Sequence, residues 1–233
     1  MKRLLLTYVL LTAVTLLSAQ SIEEIVKNFA IANKFDKISG YQTIKITGKA
    51  TMMGMEMPIV LYMKNPNKLR SVATIGGQEM IQVFDGEKGW VINPMTGSRT
   101  PVELGQEEIS QMMRSSVFQN YLDNYLRNNM LKLEGTENVN GRPVFKIKAT
   151  IEGGNVIRFF IDRNNYQLVK TVADVKQGGV PVSLESFFTD YTETNGFILP
   201  MTTTTSVAGM EFVYKYTDVK VNEPMDDSIF RLK

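Results

Sequence analysis

The chain has 233 residues, with 26 Lys and Arg against 24 Asp and Glu, and it contains neither cysteine nor histidine. Without cysteine no disulfide framework is possible, so the fold must rest on a hydrophobic core. Without histidine or cysteine there is no Ser-His-Asp arrangement, no thiolate nucleophile and no imidazole or thiolate metal ligand. We therefore expect no catalytic group, metal or cofactor, and the nearly balanced charge gives no indication of nucleic acid as a partner.

The first nineteen residues have the pattern of a secretory signal peptide. Lys2 and Arg3 precede an apolar run over residues 4–17, and small residues follow immediately before Gln20. The run is shorter than the roughly 20 apolar residues that cross a bilayer, although an uncleaved anchor is the alternative. We expect residues 1–19 to be removed and residues 20–233 to form a single exported domain, with no cysteine after the cleavage site to carry a lipid.

The start of the mature chain predicts one helix followed by an antiparallel meander. Ser21 and Glu24 form a capping-box pattern, and apolar residues then recur at helical spacing until Gly40. From Tyr41 onward the apolar period is two, and turn residues recur at Gly54, at Gly76-Gly77 and at Asp85-Gly86.

Two short helices are expected after Pro101, around residues 107–113 and 117–126, before strands resume at residue 131. Asn140-Gly141 is a strong hairpin signal, and further strands extend to residue 221. The total is about ten or eleven strands and three helices, and an open sheet of that size tends to curl or split. Large apolar residues on both faces of residues 156–161 and 184–188 fit either a strand lining a cavity or the centre of a β-sandwich.

Several short segments resemble the bacterial lipoprotein-carrier family of LolA and its LolB-like relatives. They are Asn-Pro-Asn-Lys-Leu-Arg at residues 65–70, Asp-Gly-Glu-Lys-Gly-Trp-Val-Ile-Asn-Pro at 85–94, and the segments 190–200, 219–224 and 226–230. The resemblance implies a mainly β, α+β fold in which a curled antiparallel sheet forms a half-barrel whose hollow is covered by helices. It also implies a periplasmic carrier of acylated lipoproteins or another lipid cargo. Loading would occur at an inner-membrane ABC transporter complex and unloading at an outer-membrane acceptor, with no covalent step.

Candidate ligand-binding residues follow from one alternating face of the early strands, from the only tryptophan and from the first inserted helix. Methionine suits a surface that must repack around a variable apolar ligand, and the helix is a candidate lid. Each of these side chains is also typical of ordinary core packing, and a lone strand tryptophan is more often part of the core than a ligand platform. The set comprises Ile46, Met57, Ile59, Leu61, Met63, Leu69, Trp90, Ile109, Met112 and Met113.

One departure from the family pattern concerns the position before Pro66. The family often has arginine there, associated with lid closure and cargo release, whereas this chain has Asn65, and Arg70 lies five residues later. A relative that carries another lipid is therefore an alternative. A second hypothesis, from another functional class, is a periplasmic sensor or interaction domain of the same fold that binds a protein signal. A carboxylate-dependent hydrolase is disfavoured, because Asp85 and Asp162 both adjoin turn residues.

Overall fold

The computed structural model describes residues 20–232 except 98, 115, 119, 178 and 179, so the predicted signal peptide lies outside the described residues. Over the described part of the chain, no helix is both long and apolar enough to cross a membrane. The fold is mainly β, as the sequence predicts.

Thirteen strands occur among the described residues. They are β1 (Thr43–Met52), β2 (Met55–Lys64), β3 (Lys68–Ile75), β4 (Gln78–Phe84), β5 (Gly89–Ile92), β6 (Val102–Glu103), β7 (Leu131–Val139), β8 (Arg142–Thr150), β9 (Val156–Asp162), β10 (Leu168–Gln177), β11 (Val180–Thr194), β12 (Phe197–Val207) and β13 (Met210–Val221).

All of these strands form one antiparallel sheet in the order β6-β5-β4-β3-β2-β1-β13-β12-β11-β10-β9-β8-β7. The meander predicted from the turns is confirmed, but the first and last strands also pair, with Ile46 opposite Val219. The sheet is nevertheless open, because β6 and β7 stand at the two ends of this order and do not pair with each other. These two free edges are consecutive strands in the chain. A β-sandwich would need a second sheet, whereas the described strands curl into one half-barrel.

The strand count exceeds the expected ten or eleven partly because β6 is only two residues long and carries no readable pattern. The predicted hairpin turns do form. At Met53-Gly54, Gly76-Gly77 and Asn140-Gly141 both residues have positive φ, between 50° and 83°. That geometry is the one in which the twist of a two-residue turn matches the twist of the strands.

Four α-helices lie within the described residues: α1 (Ile22–Ala32), α2 (Phe35–Ile38), α3 (Gln106–Met113) and α4 (Tyr121–Arg127). Ser21 caps α1 through its hydroxyl, which accepts from the Glu24 N–H at 3.2 Å. The single first helix of the sequence prediction is instead two, because Lys34 takes a left-handed conformation and ends the first one. The two inserted helices, α3 and α4, connect the free edges β6 and β7.

The outer face of the sheet carries a small apolar cluster on β8, β9 and β10. On β9, Phe160 packs with Val144 and Val169, and the ammonium groups of Lys146 and Lys170 lie 5.7 and 5.3 Å from its ring centroid. Lysine side chains thus cover the apolar residues on the outer face of β9, while helices cover those on its inner face. This accounts for the apolar residues on both faces of that strand.

Candidate functional site

The concave face of the half-barrel carries the predicted early-strand residues. Leu61 and Met63 on β2 lie directly opposite Ile46 and Ile44 on β1, and Met63 also faces Leu69 on β3. Directly paired residues share a face, so these side chains all point to one side of the sheet. Met57 and Ile59 continue the same alternation toward the β1–β2 turn, where Met53 and Met55 are exposed.

Helix α3 lies on this face. Ile109 and Met112 belong to one buried cluster with Ile46, Met63 and Leu69, and Leu61 and Met113 pack at its margin. The structure thus brings the predicted helix and the predicted strand face together. Met57 and Ile59 form a neighbouring cluster with Ala50 and Ala73.

Gly89 on β5 allows α3 to pack closely on the sheet. A Cβ atom at this position would lie 2.9 Å from Cγ1 of Ile109 and 3.2 Å from Cδ1 of Leu104, closer than packed carbon atoms approach. The helix begins at Gly105, whose N–H donates to the Glu108 carboxylate at 2.5 Å. The absence of a side chain at Gly89 therefore allows the apolar face of α3 to approach the sheet.

Helices α1 and α4 cover the other half of the same concave face. Ile25, Val26 and Phe29 of α1 and Tyr125 of α4 pack with the inward residues of β8 and β9. The rings of Tyr125 and Phe159 lie 6.3 Å apart between centroids. Two separate covers therefore lie on the hollow, with α3 on the early strands and α1 with α4 on the late ones.

Several apolar side chains on β11 and β13, beyond the two covers, are only half-buried. The register places Leu184, Phe188, Phe212 and Tyr214 on the concave face, through the pairs of β11, β12 and β13. These residues were not among the sequence candidates. The alternation of aromatic residues in β13, which continues through Tyr216, is the sequence signal that could have indicated this part of the face. Burial raises the pKa of Tyr216 to about 12.

A cleft of about 800 Å³ opens between α3, α4 and the end of β10. Its walls include Met113 of α3, Tyr121 and Tyr125 of α4, Ile151 before β9 and Val175 of β10. Val175 pairs with Val182 on β11, so this wall continues into the concave face. The volume is within the range typical of small-molecule sites, about 300–1,000 Å³.

The structure places Trp90 elsewhere, which corrects the sequence-based assignment. Trp90 pairs with Val83, and both pack on the outer face against Phe230, which is fully buried. The C-terminal segment, including the 3₁₀ helix Asp227–Phe230, lies across this outer face. We therefore leave Trp90 out of the candidate ligand-binding surface.

The residues around Pro66 do not restore the arginine of the family pattern. Asn65 donates from its side-chain amide to the Tyr41 carbonyl at 3.2 Å. Arg70 donates to the Ile229 carbonyl at 2.8 Å, so its guanidinium holds the C-terminal segment on the outer face. Arg70 thus does not take the place of the family arginine at the lid.

The two aspartates considered for carboxylate chemistry serve turns. The carboxylate of Asp85 accepts from the N–H groups of Glu87 and Lys88, which holds the β4–β5 turn and lowers the pKa of Asp85. Asp162 accepts from the Asn164 N–H at 2.8 Å after β9. Both are common side-chain-to-backbone turn contacts.

Comparison with solved structures identifies the fold. A LolA superfamily protein from Nitrosomonas europaea has a TM-score of 0.63 and 14% identity, with 92% of this chain and 99% of that chain covered. The chain has the LolA-like fold. A putative outer membrane lipoprotein-sorting protein domain from Vibrio parahaemolyticus has a TM-score of 0.59 at 11% identity, covering 90% and 97% of the two chains. A DUF1329 family protein from Desulfovibrio piger also has a TM-score of 0.59, at 14% identity, covering 89% and 97%.

No family model matches the chain, and no curated protein matches it. The resemblance to LolA and LolB noted in the sequence is thus confirmed at the level of the fold. Identities of 11–14% support the architecture alone, and the cargo has to be argued from this chain's own residues.

Proposed function

We propose that the protein is an exported, periplasmic carrier, mature from about Gln20, that shields the acyl chains of lipoproteins or a similar lipid in its LolA-like concave face. Binding and release are non-covalent, and the protein is not an enzyme. By analogy with the fold's lipoprotein-sorting members, an inner-membrane ABC transporter complex would load it and an outer-membrane acceptor would unload it.

One observation supports this function above the others. Two apolar clusters line the concave face, one on β1–β4 with β12 and β13 and one on β8 and β9, and the cover over the early strands is a helix of eight residues rather than a second sheet. Exposing one acyl CH₂ group to water costs about 0.8 kcal/mol, so a sixteen-carbon chain costs on the order of 12 kcal/mol. A carrier must offer a comparable apolar surface and then release it, which a short, replaceable cover allows.

A pair of neighbouring substitutions on β2 tests the proposed surface. Leu61 lies on the concave face, opposite Ile46 and Ser71, whereas Val60 lies on the outer face, opposite Thr47 and Val72. Both are half-buried. Leu61→Glu should abolish binding because it puts an unpaired charge among apolar side chains, and Val60→Glu is the matched control.

The measurement is lipid extraction and mass spectrometry of each protein purified from the periplasm of its own organism. We expect acylated lipid with the unaltered chain and with Val60→Glu, and at least about tenfold less with Leu61→Glu. Equal lipid in both variants, at equal thermal stability, would exclude this face as the ligand surface. An unaltered protein that carries no lipid would instead favour a sensor domain that binds a protein signal.

A further inference from the structure

The cleft between α3 and α4 is not uniformly apolar. Its half-buried walls combine Met113, Met130, Ile151 and Val175 with the polar groups of Arg114 and two tyrosines. A cavity made only for hydrocarbon would have no use for hydrogen-bond donors in its walls, because an unpaired polar group away from water is costly.

Arg114 is the first of these donors. It is the residue immediately after α3, half-buried, and it makes no ion pair with any carboxylate in the described part of the chain. Its positive charge nevertheless acts on both cleft tyrosines and favours their ionised forms. A guanidinium carries five donors in a planar fork that matches carboxylate and phosphate oxygens.

Tyr121, the first residue of α4, supplies the second donor. Its hydroxyl is buried and has no hydrogen-bond partner among the described residues. Burial raises the pKa of both Tyr121 and Tyr125 well above the usual value, so both hydroxyls stay protonated and able to donate at neutral pH. Buried polar groups in native structures generally have partners, so the hydroxyl of Tyr121 is suited to a ligand atom.

The other charges of the cleft lie at its rim. Glu107 on α3, Glu152 before β9 and Lys176 on β10 are all exposed. Water screens charges of this kind effectively, whereas Arg114 is partly withdrawn from solvent. The half-buried part of the wall therefore carries one positive charge, that of Arg114, and it adjoins an apolar path through Val175 onto the concave face.

We infer that the cleft between α3 and α4 binds the oxyanion headgroup of an amphiphile, a carboxylate or a phosphate, through Arg114 and the hydroxyl of Tyr121, while the acyl chain extends onto the concave face. This inference rests on the proposed lipid-carrier function and specifies its substrate class. The ligand is then an anionic lipid, and the headgroup sets its orientation.

The test compares three ligands that share one alkyl chain: dodecanoate, dodecyl phosphate and dodecanol. Inorganic phosphate alone is the fourth arm, and each competes with a fluorescent fatty acid bound to the full mature chain. We expect the two anionic ligands to bind at least about tenfold more tightly than the alcohol, and inorganic phosphate not to compete.

Variants at the two donors should remove this preference without removing binding of the chain. Arg114→Gln should bring all three ligands to the affinity of dodecanol, Arg114→Lys should keep part of the preference, and Tyr121→Phe should weaken the anionic ligands a few-fold. The matched control is Arg127→Gln on α4, because Arg127 is exposed and already paired with Asp123.

The outcomes separate this inference from the function on which it rests. If the unaltered chain binds all three ligands equally, the headgroup site is refuted and the carrier stands. If it binds none of them and no extracted lipid, the carrier itself is refuted. Competition by inorganic phosphate as strong as that of dodecyl phosphate, or an anion preference that survives Arg114→Gln, would also overturn the assignment.

Discussion

Replacing Met112 with alanine tests whether α3 is a mobile cover or an integral part of the core. Met112 and Ile109 are the buried residues of this eight-residue helix, each 8% exposed. Burying such a side chain contributes about 1.5–3 kcal/mol, so the two anchors supply about 3–6 kcal/mol before the entropy of ordering the segment is counted. The net free energy that keeps α3 on the sheet is smaller than that.

If α3 opens independently of the sheet, Met112→Ala should lower the free energy of this local opening by about 1.5–3 kcal/mol and leave global unfolding nearly unchanged. Hydrogen exchange followed by mass spectrometry measures both quantities. Amides of residues 105–114 should exchange close to the unprotected rate in the variant, while amides of β8 and β9 keep their protection. Addition of lipid to the unaltered protein should change protection in α3 and leave β9 and β10 almost unaltered.

A contrasting variant makes the result interpretable. Ile25 on α1 is fully buried against β8 and β9, so Ile25→Ala should cost about 2–5 kcal/mol in global stability without changing exchange in α3. The reasoning is refuted if Met112→Ala behaves in the same way as Ile25→Ala. Protection of α3 as high as that of the central strands, unaltered by a ligand shown to bind, would equally make this helix ordinary core.

Two further predictions concern the frame that holds the concave face. Gly48→Ala should lower the free energy of unfolding by about 3 kcal/mol in a denaturant titration, because a Cβ there would meet the Lys215 backbone and lie 2.9 Å from Cα of Tyr216 across the β1–β13 bulge. The control is Gly40→Ala, where the new Cβ makes only an ordinary 3.4 Å contact, and equal stabilities of the two variants would contradict this prediction. Hydrogen bonds from Lys64 and Lys68 lower the pKa of Asp227 from 3.8 to about 2. The stability that ionised Asp227 contributes to the C-terminal segment is therefore present above about pH 4 and is lost as the pH falls toward 2. The fluorescence of Trp90, which packs against Phe230 under the same segment, should report this loss in the unaltered protein, and Asp227→Asn should remove that pH dependence.

The sequence was sufficient for the parts of the fold that depend on local chemistry. Asn140-Gly141 and Gly76-Gly77 require positive φ at both positions, which few other residue pairs adopt easily, so the turns and the strands between them could be located. The pairing of β1 with β13 could not be read, because it joins residues more than 150 positions apart and includes a bulge at Gly48. Nothing local specifies such a contact.

Trp90 shows why site prediction was less successful than fold prediction. An alternating pattern tells which residues share a face, but not which of the two faces is the concave one. β5 has only four residues, and both of its faces are apolar apart from Gly89, so its own sequence does not show which face is concave. The deciding contact comes from Phe230, some 140 residues away, which covers Trp90 from outside.

The order of the strands also relates the two covers of the hollow to each other. Because β6 and β7 are the free edges of the sheet and are consecutive in the chain, the segment with α3 and α4 is attached to both edges. Any widening of the gap between the edges must therefore displace at least one of these helices. The cleft with Arg114 and Tyr121 lies between the same two helices, so a headgroup bound there would contact the C-terminal end of α3 and the first residue of α4. We expect binding of the headgroup and uncovering of the concave face to be coupled, because both involve α3 and α4.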